Sequence, residues 1–175
     1  MDLHKIIIYE NKKQEPMIKQ TISIPYTEFS DLSQLETTDR ELVESAILSA
    51  NDAYAPYSGF HVGVAIRLEN GEIVTGNNQE NAAFPSGLCA ERVALFSAGA
   101  QNKDVAPQSM AIVAIKDNEI TENPVTPCGA CRQVFIETEM RYSKPFSLVL
   151  VGKKKMCKFE RATLLLPLSF NSIDI

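Results

Sequence analysis

The chain is short of several things, and each shortage removes a class of function. It has no excess of positive charge: 17 Lys and Arg face 22 Asp and Glu, a formal net charge of −5. A free-standing nucleic-acid binder carries a basic footprint, so no nucleic-acid partner is expected. The single basic run, Lys153-Lys154-Lys155, is too short to supply one and fits a solvated turn. No apolar run reaches the roughly 18–20 residues that cross a membrane. The apolar stretch in "MDLHKIIIYENKK" is too short for a secretory leader. Internal repeats, low-complexity tracts and obvious linkers are lacking as well. The expectation is a cytoplasmic soluble protein whose 175 residues, 45% of them apolar, build one main core.

Cysteines are few: Cys89, Cys128, Cys131 and Cys157. Without an export signal disulfides are not expected, and clustered thiols point to metal or catalysis. Histidines are scarcer still. His4 lies near the start of the chain and His61 beside an apolar strand face, and neither is well placed as a ligand.

What is present alternates between helix and strand patterns. Residues 1–36 form an N-terminal arm with weak signals, "KIIIY" and "TISI" (21–24), broken by Pro16 and Pro25; one short extra strand is expected there. The main domain is expected over 37–175. Thr38 and Glu41 fit a capping box opening a helix that ends by Pro56. Phe60–Leu68 alternates as a strand, Asn70-Gly71 makes a turn, and "EIVTG" (72–76) returns. A second helix is predicted over about 88–99, with Gly99 as its stop. "SMAIVAIK" (109–116) and "PFSLVLV" (145–151) read as buried strands around a third helix, about 128–140. "MCKFE" (156–160) reads as an edge strand and "RATLLL" (161–166) as a short last helix. This order predicts an α/β fold with a mixed, roughly five-stranded sheet between helical layers, a three-layer α/β/α sandwich.

The chemistry concentrates at two predicted helix starts. "PCGAC" (127–131) places Cys128 and Cys131 on one side of a helical turn. Helix N-termini stabilise thiolates through unpaired amides. Cys89, in "SGLCAER", opens the preceding helix, so three thiols can converge. A thioredoxin-like redox pair is the other use of Cys-x-x-Cys, but it leaves Cys89 and Glu91 unexplained. Three thiolates favour zinc over hard cations. Catalytic zinc keeps one position open, whereas structural zinc is closed by four protein ligands. Cys157 could close the shell, but a buried packing role suits its strand-like setting better. Glu91 then discriminates: beside an open zinc position a carboxylate can move protons; otherwise it is an ordinary acidic residue in a helix's first turn.

From about Thr38 to Phe170 the chain resembles the cytidine deaminases of the homotetrameric, three-cysteine zinc type. The resemblance rests on "YAPYSGFHVG", "GNNQENAAFPSGLCAER", "TPCGACRQV" and "LLLPLSF". It implies zinc-dependent hydrolysis of cytidine and deoxycytidine to uridine and deoxyuridine plus ammonia, in pyrimidine salvage. It implies one zinc per subunit on Cys89, Cys128 and Cys131, with water in the fourth position, and Glu91 as the proton shuttle. Asn78 and Glu80 would bind the ribose hydroxyls, Phe60 would stack on the base, and Ala90 would offer it a backbone contact. Phe170 would reach a neighbouring subunit's active site in a homotetramer, and Tyr57 and Phe84 would lie near subunit contacts. Many relatives carry tyrosine in place of Phe84, and this chain has no hydroxyl there.

Three thiolates overcompensate a zinc dication by one charge. Arg92, next to Glu91, is expected to offset this by hydrogen-bonding a ligand sulfur. Two alternatives accompany this reading. One is a deaminase of another aminopyrimidine, whether a nucleoside antibiotic or an RNA base. The other is a non-catalytic module with structural zinc, which needs a fourth protein ligand and no Glu91.

Overall fold

A computed structural model describes residues 17–171. The expected strand at "KIIIY" and the placement of His4 fall outside the described residues. Among these, no helix is long and apolar enough to cross a membrane.

The elements in chain order are β1 (Thr27–Phe29), α1 (Thr37–Asn51), β2 (Phe60–Leu68), β3 (Ile73–Asn77), α2 (Ala90–Gln101), β4 (Pro107–Lys116), β5 (Glu119–Ile120), α3 (Gly129–Tyr142), β6 (Ser147–Val151) and β7 (Met156–Phe159), followed by a 3₁₀ turn at Ala162–Leu165. The sheet has seven strands, not five, in the order β1-β7-β6-β4-β2-β3, with β5 on β4. The additions are the two shortest strands. β5 is a two-residue return after a tight turn in which Asp117 and Asn118 both take positive φ. β1 forms three residues past "TISI" and pairs Phe29 with Met156, so β7 is covered and is not an edge.

Side chains alternate between the two faces of the sheet, as a strand period of two requires. Ala65, Ala111, Val113, Val149 and Val151 face α1, whose Leu42, Val43 and Ala46 pack against them. Val64, Ile66, Met110, Ile112, Leu148 and Leu150 face the other way, against Ala94 and Leu95 of α2 and Phe135 of α3. Complete burial of a side chain such as Leu42 contributes about 1.5–3 kcal/mol. Gly63, Gly76 and Gly152 lie against other backbone more closely than any side chain allows, the first two beneath helices. A Cβ on Gly63 would meet the Ala46 carbonyl oxygen at 2.0 Å, and one on Gly76 would meet the Ala94 nitrogen at 2.5 Å. Here α1 and α2 lie directly on strand backbone.

Three local expectations give way to tertiary packing. Helix α1 starts at Thr37, with Glu36 at the cap position and no side-chain cap. The capping box does not form, and Glu41 instead accepts from Arg67 of β2 at 2.7 Å. Gly99 does not stop α2, which continues to Gln101; Gly99 is where the Arg141 guanidinium lies close to the helix. In the hairpin only Gly71 takes positive φ, and the Leu68 N–H, donating to the Glu72 carbonyl, closes a three-residue loop.

The topology gathers the chemistry. β2 runs antiparallel to both β3 and β4, so β3 and β4 end on the same side of the sheet. Both cysteine-bearing helices begin beyond those ends. Phe60, at the start of β2, opens on the same side.

Candidate active site

Cys89 is the cap residue of α2 and Cys128 that of α3, and neither side chain caps its own helix. Both sulfurs turn toward each other, with Cys89 Sγ 3.9 Å from Cys128 Sγ. Cys131, in the first turn of α3 and fully buried, places its sulfur 3.5 Å from that of Cys128. The three sulfurs lie within 4.8 Å of one another. A tetrahedral zinc with sulfurs at about 2.3 Å holds them about 3.8 Å apart, so the trio fits one zinc ion. Among the described residues no other His, Cys, Asp or Glu joins this group. Cys157 is half-buried on β7, packed against the core.

The trio shares negative charge unevenly. The Cys89 thiol is pulled down to about 5, chiefly by a hydrogen bond from Cys131 and then by Arg92. The Cys131 thiol is pushed up, first by its bond to the Cys89 thiolate and then by burial. Arg92 donates through Nη2 to Cys89 Sγ at 3.5 Å, and its Nε is buried without a partner among the described residues. Positive charge therefore lies against the sulfur cluster.

Glu91 is the second residue of α2 and only 5% exposed. Burial is the main force raising its carboxyl above the ordinary value, and the nearby Cys89 thiolate adds to this. A charged side chain is rarely enclosed without a partner, so its position beside three thiols is the strongest chemical signal in the fold.

A cleft of about 360 Å³ opens in front of this corner, lined by Asn78, Glu80, Phe84, Leu88, Cys89 and Arg92 among others. Its rim is the 78–88 segment, held at Gln79 and Leu88 by a reciprocal pair of backbone hydrogen bonds, 2.9 Å each. The Asn78 side chain accepts from Val62 N–H at 2.7 Å and donates to Phe60 C=O at 2.9 Å. It thereby ties the rim to the start of β2, where Phe60 is half-buried. Glu80 accepts from the 57–58 loop. Phe84, 76% exposed, packs edge-on against Tyr57.

Phe60, Ala90 and Phe170, the other predicted contacts, are not among the residues that line this cleft. Ala90 is fully buried as the first residue of α2. Phe170 lies on α3, where its carbonyl accepts from Gln133 Nε2 at 2.7 Å and the residue is 63% exposed.

Sequence reasoning missed three residues that hold the site. Arg132 donates from Nε to the Pro127 carbonyl at 2.7 Å and from Nη1 to the Leu165 carbonyl at 3.0 Å, bracing the turn before Cys128. Glu139, buried on the far half of α3, accepts from Ala162 N–H at 3.0 Å and the Thr163 hydroxyl at 2.9 Å. Ser58 bonds Glu80. Arg132 follows "PCGAC" and Ser58 lies in "YAPYSGF", so both were inside conspicuous motifs; Glu139 carried no signal.

A thiolate trio with an enclosed carboxylate and a cleft before it defines a metal-dependent hydrolytic site. The family model described as the cytidine and deoxycytidylate deaminase zinc-binding region matches residues 36–144. The chain belongs to that family. A cytidine deaminase of Halalkalibacterium halodurans is 45% identical over 101 residues, covering 57% of this chain and 71% of the relative. The crystal structure of a cytidine deaminase from Burkholderia pseudomallei superposes with a TM-score of 0.64 at 38% identity, over 74% of this chain and 97% of that one. A cytidine deaminase structure from Mycobacterium tuberculosis gives 0.60 at 29% identity, over 78% and 99%.

Proposed function

We propose that the chain deaminates free cytidine and deoxycytidine by hydrolysis, with Cys89, Cys128 and Cys131 holding the zinc and Glu91 moving the protons. The observation that carries this reading is the enclosed Glu91 carboxylate beside three converging sulfurs. Zinc bound by the trio would lower the pKa of water toward about 7 and so supply the nucleophile at neutral pH.

The chain's own residues do the rest. Glu91 takes the proton of the attacking water as its oxygen adds to C4 of the cytosine ring. It delivers that proton to ring N3. As the tetrahedral adduct collapses, Glu91 relays the second water proton to the amino group, which leaves as ammonia and yields uridine. A carboxyl that burial raises accepts and holds such a proton more readily than one in water. Arg92 offsets the surplus charge of three thiolates at Cys89. Asn78 and Glu80 face the sugar, and Phe60 meets the base.

The acidic rim favours an uncharged nucleoside over a phosphorylated one, since Glu80 would repel a phosphate and Arg92 is engaged with Cys89. A structural-zinc module has less support, because no fourth protein ligand accompanies the trio among the described residues. The wider reading is a homotetramer in the cytoplasm, serving pyrimidine salvage, with residues 37–175 as the deaminase domain and 1–36 as an arm. The exposed Phe170 would complete a neighbour's site, and the exposed Tyr57 and Phe84 would meet partner subunits.

Ammonia release tests the activity, using purified protein with cytidine, deoxycytidine, cytosine and cytidine monophosphate. The two nucleosides react, a chelator stops the reaction and zinc restores it. Activity confined to the base or the nucleotide would sink the nucleoside reading.

A further inference from the structure

Glu80 is not free to choose its orientation. Its Oε2 accepts the Tyr57 N–H at 2.9 Å and the Ser58 N–H at 3.3 Å, and its Oε1 accepts the Ser58 hydroxyl at 2.5 Å. Together, chiefly through the Ser58 hydroxyl, these bonds hold its carboxyl below the ordinary glutamate value. An ionised carboxylate only accepts, and it offers about four lone-pair sites, two on each oxygen. Both sites on Oε2 are taken. One on Oε1 is taken by Ser58, and one on Oε1 remains.

The direction of the Ser58 bond follows from the same count. Its single hydroxyl proton is committed to Glu80, because the carboxylate has none to give. Its oxygen then accepts the Phe60 N–H, at 3.0 Å. Ser58 is thereby locked from both sides, and it aims the one open acceptor of Glu80. The hydroxyl belongs to no motif role assigned above, yet it touches both the sugar-facing carboxylate and the backbone of the base-facing Phe60.

We infer that Ser58 is a positioning residue for sugar recognition: its hydroxyl orients Glu80 so that Oε1 is presented to a sugar hydroxyl. This rests on the reading in which Glu80 accepts from the sugar. Backbone amides alone leave Oε1 able to swing, since both grip Oε2. A short hydrogen bond to a charged acceptor is among the stronger ones, so its loss weakens the sugar contact selectively. The bond lies outside the sulfur corner, so the chemical step is untouched.

The test compares inhibition of cytidine deamination by uridine and by a uridine analogue lacking both ribose ring hydroxyls. In Ser58→Ala, uridine should bind about 10-fold more weakly and the analogue less than about twofold, with kcat within about twofold. Ser58→Thr, which keeps a hydroxyl, should restore the preference for uridine, and Glu80→Gln should abolish it. If Glu80→Gln removes the preference while Ser58→Ala keeps it, the positioning role of Ser58 is overturned and the sugar reading stands. A preference that survives Glu80→Gln overturns the sugar reading, and this inference with it.

Discussion

The sulfur corner and the loop rim border one cleft but are held by different forces. Cys89, Cys131 and Glu91 sit on helix starts pressed onto the sheet, and their geometry is inherited from the core. Ser58, Asn78 and Glu80 sit on loops, and side-chain hydrogen bonds to backbone hold them. A hydrogen bond of that kind contributes about 0.5–1.5 kcal/mol net, because water competes for both partners. The corner should therefore govern turnover and metal retention, and the rim should govern affinity. A protein can retune which sugar it accepts without disturbing how it activates water.

The largest break in that comparison comes from Glu91→Gln. Turnover should fall by about 10²–10⁴-fold, the range for loss of a positioned proton-transfer group. Zinc content by elemental analysis should be unchanged, and near-normal turnover with zinc bound would rule the mechanism out. Next is Glu139→Ala. It removes a buried carboxylate that accepts from the Phe146 and Ala162 N–H groups and the Thr163 hydroxyl and pairs with Arg161. Denaturant unfolding should show a loss of about 1–3 kcal/mol. A loss confined to activity, with stability intact, would show that α3 is not anchored through this residue.

Arg92→Ala should weaken zinc affinity by about 10–100-fold, as removal of a group bonded to a ligand typically does. Competition with a chromogenic chelator reads this directly, and unchanged affinity and turnover would remove Arg92 from the site. The smallest effect lies on the rim. Its hydrogen bonds favour the ionised form of Glu80, so the folded pKa is below the unfolded one. The charged form is then fully present above pH 4.5, the ordinary glutamate value, and is lost only as pH falls through the lower folded value. The preference for uridine over its hydroxyl-free analogue should stay flat down to pH 4.5 and decline below it. Positive charge at His61 is the least of the influences on this carboxyl and also favours the ionised form of Glu80. A decline that begins above 4.5 would place Glu80 outside the sugar contact.

The corner was legible in the sequence and much of the rim was not, for a physical reason. Thiols at a three-residue spacing on a helix start announce themselves, because local geometry already converges them. The five longer strands were legible for the same reason: each carries its own apolar pattern. The short strand expected in the arm forms as β1, past the segment that signalled it, while β5 spans two residues, too few to show a period, and exists through its partner β4. The predicted capping box at Thr38 was locally sound, but Arg67, from a strand 26 residues away, claimed Glu41. Ser58 reaches Glu80 across 22 residues, and Glu139 reaches Thr163 across 24. Such bonds depend on chain crossings that no local pattern encodes.

Gly76 leaves α2 seated on bare strand, with the Ala94 nitrogen 2.5 Å from where a side chain would begin. A helix so seated can neither slide along the sheet nor roll upon it without colliding with main chain. The α2 wall of the cleft is thereby fixed, and the opposite wall is the segment from Asn78 to Leu88 with its exposed Phe84. An engineer reshaping the cleft has a defined place to edit, and an equally defined helix to leave alone.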